Sequence, residues 1–154
     1  MDKKAPKVYK VKDPDPDEKF KDIHPHLPQP PALLLIIGSV KQGKSNLVVN
    51  LLCSPEMYKD KFDIVKIISN TLNADPKGKL LNKYFDCEDH YDDSMVTDLV
   101  EAQKKYEDFE RPSVAVILDD ILTKDFKKSN AVSFLATRFR HYGIGLLAFT
   151  TQSF

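Results

Sequence analysis

The segment LLLIIGSVKQGKSNLVVNLL (33–52) carries the strongest structural signal in the chain, because it joins a strand pattern to a helix pattern through a glycine-containing turn. The apolar run 33–37 is short, continuous and ended by glycine, which predicts a strand buried on both faces. From Ser45 to Leu52 the apolar residues recur at helical spacing, and Pro55 ends that segment. The stretch therefore predicts a strand, a loop and a helix in direct succession.

The rest of the chain alternates between strand and helix patterns. Strands are predicted at 62–69, 113–120 and 143–152, and helices at 80–85, 92–109 and 130–142, with a loop at 70–78. The apolar face of the 92–109 helix is predicted to carry Met95, Leu99, Ala102 and Tyr106. Alternating strands and right-handed crossovers predict an α/β fold, with a doubly wound, mainly parallel sheet and helices on both faces.

Residues 1–31 have a different composition from residues 32–154, which form the predicted core domain. Seven of the ten prolines lie between Pro6 and Pro31. Proline removes backbone donors and disfavours helix in the residue before it. We therefore predict an extended, proline-rich arm with one short ordered piece around Phe20–Ile23. The arm is either a disordered tail or a segment that packs across the domain or onto a neighbouring subunit.

Composition sets broad limits on compartment and partners. The 154 residues fit one domain, and 23 Lys and Arg balance 23 Asp and Glu. No overall basic field therefore indicates nucleic acid, although one basic face is compatible with this balance. Cys53 and Cys87 lack metal-ligand spacing and are interpreted as reduced thiols of an intracellular protein. No signal peptide or membrane span is predicted.

The loop GSVKQGKS (38–45) matches the phosphate-binding pattern G-x-x-x-x-G-K-[ST] at every fixed position. Gly38 and Gly43 are predicted to allow a backbone whose N–H groups surround a β-phosphate. Lys44 would reach the β- and γ-oxygens, and Ser45 would offer its hydroxyl to Mg²⁺. The alternative is a surface loop that merely contains Gly and Lys. The predicted nucleotide-binding residues are Gly38, Ser39, Val40, Lys41, Gln42, Gly43, Lys44, Ser45 and Asn46.

Two acids end the apolar strand VAVILDD (114–120). Asp119 is the candidate for the Mg²⁺ shell, and Asp120 is the candidate base that activates the attacking water. The alternative is that both acids simply begin a turn.

The strand AFTTQ (148–152) also ends in polar residues, and it is predicted to lie between the loop-bearing strand and the Asp119 strand. Gln152 is then a candidate contact for the γ-phosphate and water, since an amide both donates and accepts. Arg138 and Arg140 are candidates to stabilise transition-state charge on a neighbouring subunit. For Gln152 the alternative is an ordinary polar strand end, and for the arginines it is an ordinary helix C-terminus.

Together, the segments 33–52, 114–120 and TRFRHYGIGLLAFTTQ (137–152) resemble the genome-packaging ATPases of large DNA viruses and virophages, within the FtsK–HerA superfamily. The resemblance covers roughly residues 30–154. It implies an ASCE-type P-loop fold and an oligomeric ring that uses ATP and Mg²⁺ to pump double-stranded DNA into a capsid. It also implies capsid or membrane-associated packaging proteins as partners, and a location in the host cytoplasm, the viral factory or the virion.

The resemblance further implies individual roles. Lys44 and Ser45 would bind the triphosphate and Mg²⁺, and Asp119 would coordinate the metal. Asp120 would activate the attacking water, and Gln152 would sense the γ-phosphate. Arg140 or Arg138 would act on the nucleotide of a neighbouring subunit. Members of that family continue past the Thr-Gln strand with at least one more strand. The resemblance therefore implies that the last strand or strands are missing here, which would leave one edge of the first strand unpaired.

Other functions remain open at the level of sequence. They are another P-loop DNA-translocating or transfer ATPase, a helicase-like protein, a nucleotide or nucleoside kinase, and a non-catalytic nucleotide-binding module. The basic segments KGK (77–79) and KDFKK (124–128) are candidates for DNA phosphate contacts, with a solvated charge run as the alternative.

Overall fold

The computed structural model describes Phe20, residues 22–121 and residues 128–152, and the elements below belong to that part of the chain. The strands are β1 (Ala32–Ile37), β2 (Ile64–Ser69), β3 (Asp86–Glu88), β4 (Val114–Asp119) and β5 (Ile144–Thr151). The α-helices are α1 (Lys44–Cys53), α2 (Pro76–Tyr84), α3 (Asp93–Gln103) and α4 (Asn130–Arg138), and a 3₁₀ helix (Phe139–Tyr142) follows α4.

The five strands form one parallel sheet in the order β1-β5-β4-β2-β3. The predicted α/β fold with a parallel sheet is confirmed. The predicted position of the last strand is also confirmed, because β5 pairs with β1 on one side and with β4 on the other. Thus β5 alone separates β1, which precedes the glycine-containing loop, from β4, which ends in the two acids.

Helices cover both faces of this sheet. On one face α1 and α2 contribute Val48, Leu51, Leu52 and Leu81 to a core that includes Ile67, Ile117 and Leu146. On the other face α3 and α4 contribute Val96, Val100, Val132 and Leu135, against Ile68, Val116 and Leu147. Alternate residues of β4 face opposite layers, which explains its continuous apolar run. No helix in the described ranges is long and apolar enough to cross a membrane.

One face of β1 is exposed. Leu33, Leu35 and Ile37 are 50%, 46% and 53% exposed, whereas the alternate residues of β1 pack towards α1. The prediction that this run is buried on both faces is wrong. Within the described residues β1 lies at the sheet edge, and the α3–α4 layer packs on β2, β4 and β5 instead.

The start of α2 also differs from the prediction. The helix begins at Pro76, inside the predicted loop 70–78, because the Asp75 side chain caps it by accepting the Lys77 N–H at 2.9 Å. Proline fits the first helical position, where its missing N–H leaves no hydrogen bond unmade. The residues DPKG therefore start a helix here, although the same residue types are common in turns.

Two further differences concern α3 and β3. The helix α3 ends at Gln103, not at residue 109, and its buried residues are Val96, Val100 and Gln103. The predicted apolar face is confirmed in part: Met95 and Leu99 are half-buried and pack against the core of the α3–α4 layer, whereas Ala102 and Tyr106 are exposed. The three-residue strand β3 was not predicted, since it carries no alternating apolar pattern.

The described part of the N-terminal arm packs against the α1–α2 side of the sheet. The Phe20 ring lies 5.7 Å from the Phe62 ring, and the Tyr58 hydroxyl donates to the carbonyl of Pro28 at 2.6 Å. A Cβ at Gly145 would come within 2.6 Å of the Phe20 ring, so glycine leaves the space that the ring occupies. Residues 1–19 lie outside the described part of the chain.

Candidate nucleotide-binding site

The candidate site lies at the edge of the sheet where the parallel strands end. The loop 38–43 follows β1, Asp120 follows β4, and Gln152 follows β5. In open parallel sheets this edge is where ligands bind, because the loops there surround a crevice. The fold therefore gathers the candidate loop, both acids and the amide on one side of the molecule.

The loop backbone has two left-handed residues, Lys41 with a φ of 64° and Gly43 with a φ of 87°. Glycine adopts this conformation at no steric cost, whereas Lys41 does so under strain. The prediction that Gly38 also supplies an unusual conformation is wrong, since its φ lies outside the left-handed region. A Cβ at Gly38 would lie 3.4 Å from the Gln42 Cβ, which is an ordinary van der Waals contact.

Lys44 turns back over its own loop. Its ammonium donates to the carbonyls of Gly38 and Ser39, the latter at 3.0 Å. These are neutral acceptors that a phosphate oxygen, carrying charge, can replace with stronger hydrogen bonds. The loop around the lysine is open to solvent, because Ser39, Val40, Lys41, Gln42 and Gly43 are exposed, as is Asn46.

Asp119 is held by hydroxyl groups from both neighbouring strands. Ser69 Oγ donates to Oδ2 at 2.7 Å, and Thr150 Oγ1 donates to Oδ1. Both partners lie opposite Asp119 in the register of the sheet. Sequence reasoning noted a polar end to the last strand but missed these two roles. The available signal was a hydroxyl residue near the end of each strand.

Asp120 adopts a left-handed backbone with a φ of 52°. Such a conformation costs a non-glycine residue free energy and persists where neighbours fix it. Here the Asp120 N–H donates to the Thr150 carbonyl at 3.2 Å and to the Thr150 hydroxyl at 3.1 Å. Asn70 Nδ2 donates to the Asp120 carbonyl at 3.3 Å. These hydrogen bonds from both neighbouring segments hold the Asp120 backbone in this conformation.

Gln152 lies beside Asp120. Its amide Nε2 is 3.3 Å from Asp120 Oδ2 and donates to it. The exposed amide and the half-buried carboxylate thus face the same solvent-accessible region above the sheet. One group that donates and one that accepts are adjacent there, as the alignment of a water molecule requires.

A cleft between α1 and α2 connects the loop to Asp119. It is lined by Ser45, Ser69, Thr71, Asp75, Lys77 and Asp119, with apolar residues of both helices and β2 completing it. Among the described residues no cluster of three or more His, Cys, Asp or Glu could hold a metal. A hydroxyl and one carboxylate fit Mg²⁺ nevertheless, because this ion keeps several waters and binds substrate phosphates.

No family model, curated protein or solved structure matches this chain. The structural basis for a function is therefore the fold and the grouping of residues at this end of the sheet.

Arg138 and Arg140 precede β5, so they lie near the amino ends of the strands, opposite the candidate site. Because β5 has eight residues, its amino and carboxyl ends are separated by about 26 Å. Neither arginine is therefore placed to act on the loop of its own chain. The Arg138 guanidinium lies 5.1 Å from the centre of the Phe134 ring, whereas Arg140 is exposed on the 3₁₀ helix.

The two basic segments have different outcomes. Lys77 and Lys79 belong to α2, and Lys77 lines the cleft. The segment KDFKK (124–128) lies outside the described residues except for Lys128. Cys53 and Cys87 are both free thiols.

Proposed function

We propose that this chain is an ATPase that binds ATP with Mg²⁺ at the carboxyl edge of its sheet and hydrolyses it. We further propose that hydrolysis drives double-stranded DNA into a viral capsid. The observation that carries the ATPase proposal is the grouping of a G-x-x-x-x-G-K-[ST] loop with the paired acids of β4, one strand away.

Phosphate binding is assigned to the loop 38–45. The left-handed residues at 41 and 43 curve the backbone, and the N-terminus of α1 carries a partial positive charge that favours anions. Lys44 exchanges its contacts with the carbonyls of Gly38 and Ser39 for phosphate oxygens. Ser45 and Asp119 would hold Mg²⁺, which neutralises charge on the phosphate oxygens when bound.

Hydrolysis is assigned to Asp120 and Gln152. A water aligned between the amide and the carboxylate attacks the γ-phosphorus, the bond to the bridging oxygen breaks, and Asp120 accepts the proton from the water. The products are ADP and inorganic phosphate. A contact of 3.3 Å between Gln152 and Asp120 supports this assignment, because both groups must reach one water.

The proposal that the chain moves DNA and assembles into a ring rests on the resemblance of its three sequence segments to genome-packaging ATPases. The position of Arg138 and Arg140 is compatible with action on a neighbouring subunit, since both lie far from the loop of their own chain. Arg140 is the preferred candidate because the Arg138 guanidinium already contacts Phe134.

The test is phosphate release by the purified chain, with and without double-stranded DNA. We expect hydrolysis that DNA stimulates, a loss of about 100-fold or more in Lys44→Ala and Asp120→Asn, and unchanged activity in Lys105→Ala. Lys105 is an exposed lysine beyond the end of α3, so it controls for the removal of a positive charge.

The contrary outcomes separate the alternatives. Transfer of phosphate to a nucleoside monophosphate, with little release to water, would indicate a kinase. Nucleotide binding without turnover, with or without DNA, would contradict the motor. Equal activity in the wild type and in Lys44→Ala would exclude the loop as the site of hydrolysis.

A further inference from the structure

The first turn of α2 lies beside the proposed metal ligands. Lys77 lines the same cleft as Ser45 and Asp119, although it is 32 residues along the chain from one and 42 from the other. In the sequence Lys77 belongs to the basic segment KGK (77–79), which is a candidate for DNA phosphate contacts or a solvated charge run. Its place in this cleft gives it a different set of neighbours.

Gly78 fixes the distance between α2 and the end of β2. A Cβ at this buried glycine would lie 2.1 Å from the carbonyl oxygen of Leu72. No side chain fits there, so the helix and the 69–72 turn are in direct backbone contact. Because the neighbouring residue Lys77 is anchored in this way, the position from which its side chain extends is set by the fold.

Lys77 shares the cleft with two carboxylates, Asp75 and Asp119. The described ion pairs give Lys77 no carboxylate within 4.0 Å. Asp75 also lines the cleft, but one of its oxygens accepts the Lys77 backbone N–H. Asp119 accepts from two hydroxyls and is a proposed metal ligand. Among the described residues that line the cleft, Lys77 is the single basic one, and it is exposed to solvent.

We propose that Lys77 is a second phosphate-binding lysine, which contacts the terminal phosphate of the bound nucleotide from the α2 side of the cleft. This inference rests on the proposed ATPase function. Lys44 reaches the phosphates from the loop, and Lys77 reaches the terminal one from the opposite side. The protein thereby distinguishes triphosphate from diphosphate, since only the triphosphate supplies the oxygens that Lys77 binds.

The experiment compares the binding of two nucleotides in the presence of Mg²⁺ and without DNA. The dissociation constants of a non-hydrolysable ATP analogue and of ADP are measured by calorimetry for the wild type, Lys77→Ala, Lys77→Arg and Lys83→Ala. Lys83 is the matched control, because it is an exposed lysine in the last turn of the same helix.

We expect Lys77→Ala to weaken binding of the analogue about 10-fold and that of ADP less than twofold, because a charged hydrogen bond to the terminal phosphate is lost. Lys77→Arg should recover most of this affinity, and Lys83→Ala should change neither constant. Equal weakening of both ligands, or no change in either, would overturn the inference.

The proposed function and this inference fail in different ways. If the wild type binds neither nucleotide, or Lys44→Ala binds both normally, the nucleotide site itself is wrong and Lys77 has no role to play. If the wild type binds and Lys44→Ala does not, an unchanged Lys77→Ala contradicts the role of Lys77 alone. Thermal unfolding of each variant shows that the fold is intact.

Discussion

Thr150 lies opposite Asp119 in the pairing of β4 with β5, and its hydroxyl donates a hydrogen bond to the Asp119 carboxylate. The same oxygen accepts the backbone N–H of Asp120 at 3.1 Å. One buried hydroxyl therefore orients both acids, the proposed metal ligand and the proposed base. The two functions are consequently coupled through a residue that need not touch the nucleotide.

Replacing Thr150 by valine should reduce hydrolysis by about 10-fold or more and lower the free energy of unfolding by about 1–3 kcal/mol. Valine keeps the shape of threonine but leaves the Asp119 carboxylate and the Asp120 N–H without the hydroxyl. Thr150→Ser, which keeps the oxygen, is the control and should retain most of the activity. Steady-state kinetics and urea unfolding measure the two effects, and a fully active Thr150→Val would contradict the role of the hydroxyl.

Gly78→Ala should destabilise the protein, although glycine-to-alanine changes inside helices normally stabilise by about 1 kcal/mol. The sign reverses here because the new Cβ would lie 2.1 Å from the Leu72 carbonyl oxygen, which forces α2 away from the 69–72 turn. We expect a loss of about 1–3 kcal/mol in urea unfolding. Lys79→Ala, at the next and exposed position of α2, should leave stability within about 0.5 kcal/mol. A Gly78→Ala protein as stable as the wild type would show that the helix shifts freely.

Gln103→Leu should lower the free energy of unfolding by about 2–3 kcal/mol. The Gln103 side chain is 1% exposed, and its amide donates to the carbonyls of Pro112 and Tyr142 at 2.8 Å each. Leucine removes both donors and leaves two acceptors unpaired next to the 3₁₀ helix that carries Arg140. Chemical unfolding measures the loss, with Lys105→Ala as the exposed control. A change below about 0.5 kcal/mol would mean that solvent replaces the amide.

Burial, followed by the charges of Asp86 and Glu88, raises the pKa of the Cys87 thiol to about 11. In a Cys53→Ser protein, alkylation of Cys87 at pH 8 should be about 100-fold slower in the native state than in denaturant, because less thiolate is present. The rate should rise with pH until about pH 11.

The same pKa has a consequence for stability. The native pKa of Cys87 exceeds the unfolded value of 9.0. The contribution of this thiol to the free energy of unfolding is therefore fully present below pH 9 and is lost as the pH rises towards 11. An alkylation profile that levels off near pH 9 in the native protein would contradict the raised pKa.

The order of the elements and the place of β5 could be predicted because each depends on local pattern and on the handedness of crossovers. The apolar run of β4 and the loop that begins at Gly38 are signals within a few residues of sequence. These two signals place Asp119 and Gln152 at the same end of the sheet, since parallel strands have their carboxyl ends together.

Other parts of the site depend on residues that are distant in the chain. Ser69 contacts Asp119 across 50 positions, and although its place at a strand end was a signal, its partner is set by the pairing of β2 with β4. Gly78 is predicted to end a loop and to belong to a basic segment, but its role depends on the close approach of the Leu72 carbonyl. The exposure of Leu35 likewise depends on which strands the α3–α4 layer covers, and a strand's own sequence does not record that.

The candidate phosphate loop is carried by β1, which within the described residues pairs with β5 alone. Alternate amides of β1 point to the open edge, so deuterium exchange should be faster there than in β4, which is paired on both sides. A ligand that orders the loop should also slow exchange in residues 32–37. Nucleotide binding could then be measured as slower deuterium exchange at individual amides of β1, without an assay of turnover.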